Sequence, residues 1–569
     1  IMKIKHLFGL AVIAAMTASC SSNEDLGTAG PSTGNNEAGV GYATFSINLP
    51  TTSGTRADAN PEFKPGDANE YKVNDATLLI FKKGATNNEG DYTFVESAEL
   101  GSMAPWQKPN PDETGVTTHA KITAKLDNVN KSDHNFALVL LNNGTGTNAK
   151  VKLPSKDEKF STWNAKTTDK FATYENGFYM ANAPLFKDNN VTTLVPIEST
   201  KIYSTEEEAA KNSATDIYVE RGLAKVTVTG TAGEKTVTGV TYNGDKVTIS
   251  NWALDVTNKK AYPIHNVDGL TDDYAGIWSN STTPSTTNNA TTQRFVDINP
   301  KTTVKRVYWG KDPNYDNKDA DKTALNADFN YVANANVKED PAKALYCLEN
   351  TFNLDNMKQG QTTRVVFKAT YKPASLPDGE TTFYKIGKNT AIWSKDNLET
   401  EIKAAVASVV SGAAGKTTVT LNAEGNNITA AGTHYIKAAN ISVTDATITI
   451  TTENITDINT QLGLNESKKV GISTYAGGES YYIARIKHFG DALTKWESGT
   501  YGENNLEYLG RYGVLRNNWY ELKVNSVSGP GYPSVPDVKP NTPDDEDDKY
   551  INVSVKILDW AKRSQDVNL

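Results

Sequence analysis

At 569 residues the chain is longer than one ordinary hydrophobic core supports, so at least two domains are expected. Its composition, rich in Thr, Asn, Gly, Val and Tyr, favours strands and turns over helices. A formal net charge of −9, with no basic cluster interleaved with aromatics, excludes a nucleic-acid binder and otherwise says only that the surface is well solvated.

The chain opens with "MKIKHLFGLAVIAAMTASC". Basic Lys3 and Lys5 precede an apolar stretch from Leu7 to Met16 and then small residues before Cys20. That pattern is a secretory signal, too short for a retained membrane span. Small residues ahead of the cysteine look like a bacterial lipobox, whose thiol would be acylated and become the new N-terminus; the alternative is an ordinary signal peptide with a chance cysteine. Residues 1–19 are therefore read as signal peptide and Cys20 as the lipidation site. The remaining cysteine, Cys347, is expected to be buried as a small apolar residue. A Gly/Ser/Thr/Asn-rich tether runs to about Gly39, too polar to build a core. The acidic residues just behind Cys20 resemble a surface-export signal.

"ATFSINL" follows, with Ala43, Phe45, Ile47 and Leu49 alternating with polar partners, the period-two pattern of a half-buried strand. Behind it lies "TTSGTRADANPEFKPGD", a polar loop with a single arginine, Arg56, followed by Ala57. Loops of this kind are preferred cleavage sites. Further strands are predicted at "VNDATLLIF", at "NFALVLLNN", whose continuous apolar run suggests burial on both faces, and at "DIYVERGLAKVTVTG", where a domain boundary is placed. The second half repeats the character in "VTISNWALDV", "LYCLENTF", "TTRVVFKATYK", "ISVTDATITITT", "YYIARIKHFG" and "NWYELKVNSVSG". One helix is predicted in "SKDNLETEIKAAVASVVSG", from the spacing of Leu398, Ile402, Val406 and Val409. The Asn/Thr-rich stretch near 279–292 reads as a surface loop. "GPGYPSVPDVKPNTPDDEDDK" reads as an extended, solvated linker of about 20 residues that reaches up to ~65 Å. It delivers a last alternating strand, "INVSVKI", with Ile551, Val553, Val555 and Ile557 on one face and Trp560 just beyond.

Motifs for chemistry are weak. "GAAGKTT" has Val410 where a phosphate loop needs glycine and lies after a helix rather than before one, so it reads as a helix stop and turn. Asp312, Asn314 and Asp316 have calcium-loop spacing but lack the sixth-position glycine and the twelfth-position glutamate; a solvated loop is favoured. The histidines show no metal-ligand spacing, and no nucleophile or metalloprotease motif occurs. The chain is read as a non-enzyme without cofactors.

The two terminal strands each offer four apolar side chains on one face, so either fits the same groove. Cleavage after Arg56 would remove lipid, tether and first strand together and expose a sheet edge and core groove. A C-terminal strand from another copy could then fill it by strand addition, with folding back into its own groove as the competing outcome. One groove and one donor per copy make the contact head-to-tail, which unclosed gives a filament.

In this combination the sequence resembles the type V pilus fimbrillins of Bacteroidales, nearest to the short-fimbria (minor fimbrillin) stalk subunits. The resemblance rests on the lipobox at Cys20, the Arg56-Ala57 junction with "RADANPEF", and "VERGLAK". Further along it rests on "NWALDVTNKKAYPI", "LYCLENTF", "YYIARIKHFGD", "RNNWYELKVNSVSGPGYP" and the final strand with Trp560. It implies an all-β fold of two transthyretin-like β-sandwich domains with minor helical insertions, completed by donor-strand exchange. It also implies an arginine-specific protease acting at Arg56, and anchor and tip pilus subunits as partners beside further copies of the chain. The expected organisation is a propeptide over 20–56, an N-terminal domain over 57–218, a C-terminal domain over 219–532, a linker over 533–549 and a donor strand over 550–569. The precursor would sit on the outer membrane through its lipid and the product in an extracellular fimbrium. Presence of both Arg56 and a donor strand points to a polymerising stalk subunit rather than an anchor or tip. The competing reading is a monomeric surface lipoprotein that binds glycans through Trp252, Trp309 or Trp393.

Overall fold

The structure, a computed structural model, describes residues 41–50, 68–101, 116–130, 133–187, 190–268, 305–307, 309–315, 321–351, 356–488, 510–544 and 551–558. The signal peptide, Cys20, Arg56, Ala57, Asp316, the 279–292 stretch and Trp560 lie outside the described residues.

The fold is all-β. In the first half, β1 (Gly41–Pro50), β2 (Ala76–Lys82), β3 (Thr93–Glu99), β4 (Val116–Leu126), β5 (Asn135–Leu141), β6 (Met180–Asn182) and β7 (Thr215–Arg221) pair in the order β3-β2-β5-β6-β7-β1-β4. The apolar runs in β2 and β5 are central because both their faces are covered: Leu78, Leu79, Ile80 and Phe81, like Leu138, Val139, Leu140 and Leu141, are fully buried. Phe160 and Trp163 close this core against Phe81.

The second half forms a two-sheet sandwich. Its strands are β8 (Leu223–Thr229), β9 (Glu234–Thr236), β10 (Lys246–Asp255), β11 (Leu345–Leu348), β12 (Arg364–Lys372), β13 (Glu479–Arg485), β14 (Trp519–Val527) and β15 (Ile551–Leu558). One sheet runs β11-β8-β14-β15 and the other β9-β10-β12-β13. Alternate residues turn inward from both: Val226 and Val228, Tyr520, Leu522 and Val524, Val365, Phe367, Ala369 and Tyr371. In β10 the inward set changes parity from Val247 and Ile249 to Trp252, because the register with β12 shifts between Ile249 and Asn251. One extra residue in the strand swaps which face points inward.

"DIYVERGLAKVTVTG" is two strands in line, β7 in the first sheet and β8 in the second, parted only by Gly222. Across this joint Glu70 pairs with Lys225 at 2.6 Å, and Arg221 Nε donates to the Glu70 carbonyl at 2.8 Å.

Between β12 and β13 the chain makes a separate unit with two helices. The predicted helix forms over Lys395–Val409, capped by Ser394 Oγ, which accepts from Asn397 N. The "GAAGKTT" stretch is a helix stop and turn: Gly412 and Gly415 both adopt positive φ before the short strand Thr417–Val419. "ISVTDATITITT" is not one strand. Only Ile441–Val443 pairs; Asp445 Oδ1 then accepts from Thr447 N, and a second helix begins at Thr452. A capping box, Thr451 Oγ1 to Asn454 N and Thr451 N to Asn454 Oδ1, starts that helix.

The expected solvated linker is also corrected over its first part. Residues 532–544 lie on the C-terminal sandwich: Tyr532 exchanges two backbone bonds with Tyr481, and Val538 is buried beside Val256, Leu325 and Phe329. Asp544 Oδ2 accepts from Thr362 Oγ1 at 2.9 Å, and Gln359 N donates to the Thr542 carbonyl. A turn interrupts the stretch, Thr542 N donating to the Lys539 carbonyl, and Val538 gives it an apolar foothold that offsets solvation of its charges.

Candidate assembly site: the N-terminal strand and its groove

β1 has a neighbour on each side. It runs antiparallel to β4 over its whole length, Gly41 opposite Leu126 to Pro50 opposite Val116, and parallel to β7, Phe45 to Asn48 opposite Thr215 to Tyr218. Tyr42 exchanges backbone bonds of 2.8 Å in both directions with Tyr203. The alternation seen in the sequence is realised: Ala43, Phe45 and Ile47 are fully buried in the first core. Leu49 continues the strand opposite Thr118. The other face is only partly open. Thr44 Oγ1 donates to the Ala209 carbonyl at 2.8 Å and lies 2.8 Å from Thr123 Oγ1, beneath the short helix Glu206–Lys211.

The C-terminal strand is placed differently. β15 runs antiparallel to β14, from Leu558 opposite Trp519 to Ile551 opposite Val527, and is the last strand of its sheet. Among the described residues it therefore has one neighbour, in its own chain. Ile551, Val553, Val555 and Ile557 all fall within this pairing. The two strands that the sequence set side by side as alternatives for one groove occupy different sheets here: β1 sits inside the first, β15 at the edge of the second. With β1 in place, the C-terminal strand lies against β14 of its own chain.

Other singled-out residues are structural. Cys347 is a buried free thiol, and burial pushes its pKa up to about 12. Asp312 and Asn314 are not in a solvated loop. Asp312 Oδ1 accepts from Asn314 N and Nδ2, its Oδ2 accepts from Thr351 N, and Asn314 clasps Lys260 through N–H···O bonds in both directions. Burial pushes the Asp312 carboxyl up to about 8 against these donors. Trp252 and Trp309 are fully buried and Trp393 half-buried, so the first two offer no surface for a sugar ring. Sequence reasoning missed the junction of Glu70, Arg221, Lys225 and Asn517, whose Oδ1 accepts from Arg221 N at 3.1 Å, because polar residues far apart in sequence carry no periodic signal.

Residues 473–566, which span β13, β14 and β15, match the family described as major fimbrial subunit protein type IV, fimbrillin, C-terminal. This segment is similar to the C-terminal part of the fimbrillins. The resemblance stated from sequence is supported at that level. Among curated proteins none matches. Among solved structures the chain is similar to a candidate cell adhesion protein of Parabacteroides distasonis, with 10% identity, 92% of this chain and 98% of that one covered, and a TM-score of 0.37. A second candidate cell adhesion protein, from Bacteroides eggerthii, has 12% identity, 93% and 98% coverage, and a TM-score of 0.33. A fimbrial assembly protein of P. distasonis has 10% identity, 39% and 65% coverage, and a TM-score of 0.23. At these TM-scores the likenesses carry no argument about function.

Proposed function

We propose that the chain is a structural fimbrial subunit of the short-fimbria stalk type. It is exported as a lipoprotein acylated at Cys20, cut after Arg56 by an arginine-specific protease, and polymerised head-to-tail. The C-terminal strand of one copy takes the place that β1 leaves in the next. Residues 20–56 are then a propeptide, 57–218 and 219–532 the two domains, and 550–569 the donor, with Ala57 as the mature N-terminus.

One observation carries the reading: β1 is an interior strand joined to the rest of the first domain only through the stretch that holds Arg56. Its loss leaves β4 and β7 each with an open ladder edge and uncovers the places of Phe45 and Ile47, worth ~1.5–3 kcal/mol apiece when filled. Open edges and apolar grooves invite a replacement strand. Ile551, Val553, Val555 and Ile557 supply the same period-two apolar face, and β15 has a single ladder to give up. Because residues 532–544 are docked, the donor's reach is counted from Asp544. From there to Ile551 the chain spans at most about 25 Å, not the ~65 Å of a free linker. The neighbour's groove must therefore come close to the Thr362–Asp544 contact.

The test is intact mass and N-terminal sequencing of the protein from the native cell surface, beside denaturing gels run without boiling. A mature N-terminus at Ala57, with SDS-resistant ladders that vanish when residues 551–569 are deleted, is expected. A single lipidated species beginning at Cys20 and running as a monomer refutes the reading. The glycan-binding lipoprotein would then return, though without Trp252 and Trp309 as its platforms.

A further inference from the structure

β12 and β13 are adjacent antiparallel strands, in register from Arg364 opposite Arg485 to Thr370 opposite Glu479. Such neighbours need only a tight turn between them. Here the connection is the whole of residues 373–478. It leaves and re-enters the sheet at nearly one point: Gly478, at φ +79°, lies so near Tyr371 that a Cβ there would stand 2.4 Å from its carbonyl oxygen.

The inserted stretch has its own core. Leu398, Ile402 and Val406 of the first helix, Ile458 of the second, and Ile428 and Ile472 are fully buried in one cluster, every member of which falls between residues 384 and 472. Among the described residues its strands pair with each other: Phe383–Ile386 and Gly432–His434 flank Ile472–Tyr475, and Thr417–Val419 pairs with Ile441–Val443. Its contacts with the sandwich include a root, and Tyr475 Oη donates to the Gly531 carbonyl at 2.9 Å. Phe383 and Tyr475 stack at 4.3 Å and belong to the sandwich core, Tyr242 Oη donates to the Thr390 carbonyl, and Lys385 Nζ donates to Tyr242 Oη.

We propose that residues 383–475 are a separately folding module, carried on the flank of the C-terminal sandwich, that takes no part in subunit joining. A closed core, strands that saturate one another and adjacent entry and exit points are what lets a domain be inserted without disturbing its host. The part that assigns it no role in joining rests on the proposed function; the folding part does not. In terms of function, the stalk chain then has two independent halves of design: strands that build the filament, and a lateral unit free to differ without breaking it.

The test uses the full chain. Leu398→Ala and Ile402→Ala are expected to lower one calorimetric transition by on the order of 10 °C or more while leaving the other transitions in place. Native-state hydrogen exchange should accelerate at amides of 387–471 and not at those of 364–371 or 479–485. A single transition that shifts as a whole, with exchange rising equally in both regions, overturns the module. In a second variant, residues 374–477 are replaced by an Asn-Gly turn, with the sandwich transition as the check on folding. SDS-resistant ladders equal to those of the parent are expected, and a folded variant that makes none overturns its independence from joining. If the parent itself makes no ladders, the proposed function fails, and the calorimetry and exchange results still decide the module.

Discussion

Glu70 and Lys225 form a buried ion pair, Oε1 to Nζ 2.6 Å, with both side chains almost wholly out of solvent. Glu70 lies between β1 and β2 in the first half and Lys225 lies on β8, so the pair straddles the joint at Gly222. The Lys225 ammonium also stands 3.9 Å over the Trp519 ring, and the Tyr346 hydroxyl donates to the same carboxylate. Burial alone would raise the Glu70 carboxyl, but Lys225, Tyr346 and Arg221 outweigh it and hold it below the usual carboxylate range.

A carboxyl with a depressed folded value adds stability above its unfolded value, here 4.5, and loses it as pH falls below that. Glu70→Gln should therefore cost stability at pH 7, about 3–5 kcal/mol for one lost partner of a buried pair. It should also flatten the fall in stability on the acid side of pH 4.5. Denaturant unfolding followed across pH checks both; a constant difference from the parent down to pH 2 would contradict the assignment.

Phe45→Ala removes a fully buried ring from β1. The uncleaved chain is expected to lose about 3–5 kcal/mol. After cleavage at Arg56 the same substitution should change nothing, since the strand has left. Paired thermal melts of precursor and cleaved product read this directly.

Docking of residues 532–544 depends on Val538. Val538→Asp should release the segment, seen as faster proteolysis between residues 530 and 544, while the first core keeps its melting temperature. Equal proteolysis in parent and variant would mean that the contacts to Met357, Gln359 and Thr362 suffice alone.

The Cys347 thiol, buried and raised to about 12, should resist alkylation in the folded chain at pH 8 and react fully in denaturant. Labelling followed by intact mass measures the protection. Stoichiometric modification of the native protein would place the thiol at the surface.

Much of this fold was legible in advance because period-two alternation reports burial directly. β1, β10, β12 and β14 fall where the pattern puts them, and the Leu398–Ile402–Val406 spacing marks the first long helix. The misreadings have physical causes. Ile448 and Ile450 look like strand positions because β-branched residues alternate with threonines, yet they pack on the inserted core ahead of a capped helix. Val538 sits among prolines and charges, and only the cavity formed by Val256, Leu325 and Phe329 makes it an anchor. Asp312 sits in an acidic, polar loop, and its donors include Asn314 and distant Thr351. Local sequence does not encode who arrives from afar.

Gly222 joins β7 and β8 end to end, and this alignment bears on tension. β7 lines the groove, and β8 runs parallel to β14, which carries β15. In a head-to-tail polymer, a pull on one subunit enters through the strand seated beside β7 and leaves through the strand that extends from the far sheet. In that proposed arrangement the load would pass along one backbone from Thr215 to Thr229. Ladders loaded along their strands share the strain across every rung at once, whereas ladders peeled from an end surrender one rung at a time. The Glu70–Lys225 pair sits at the one point of that line where the sheets change, and there it would bear shear.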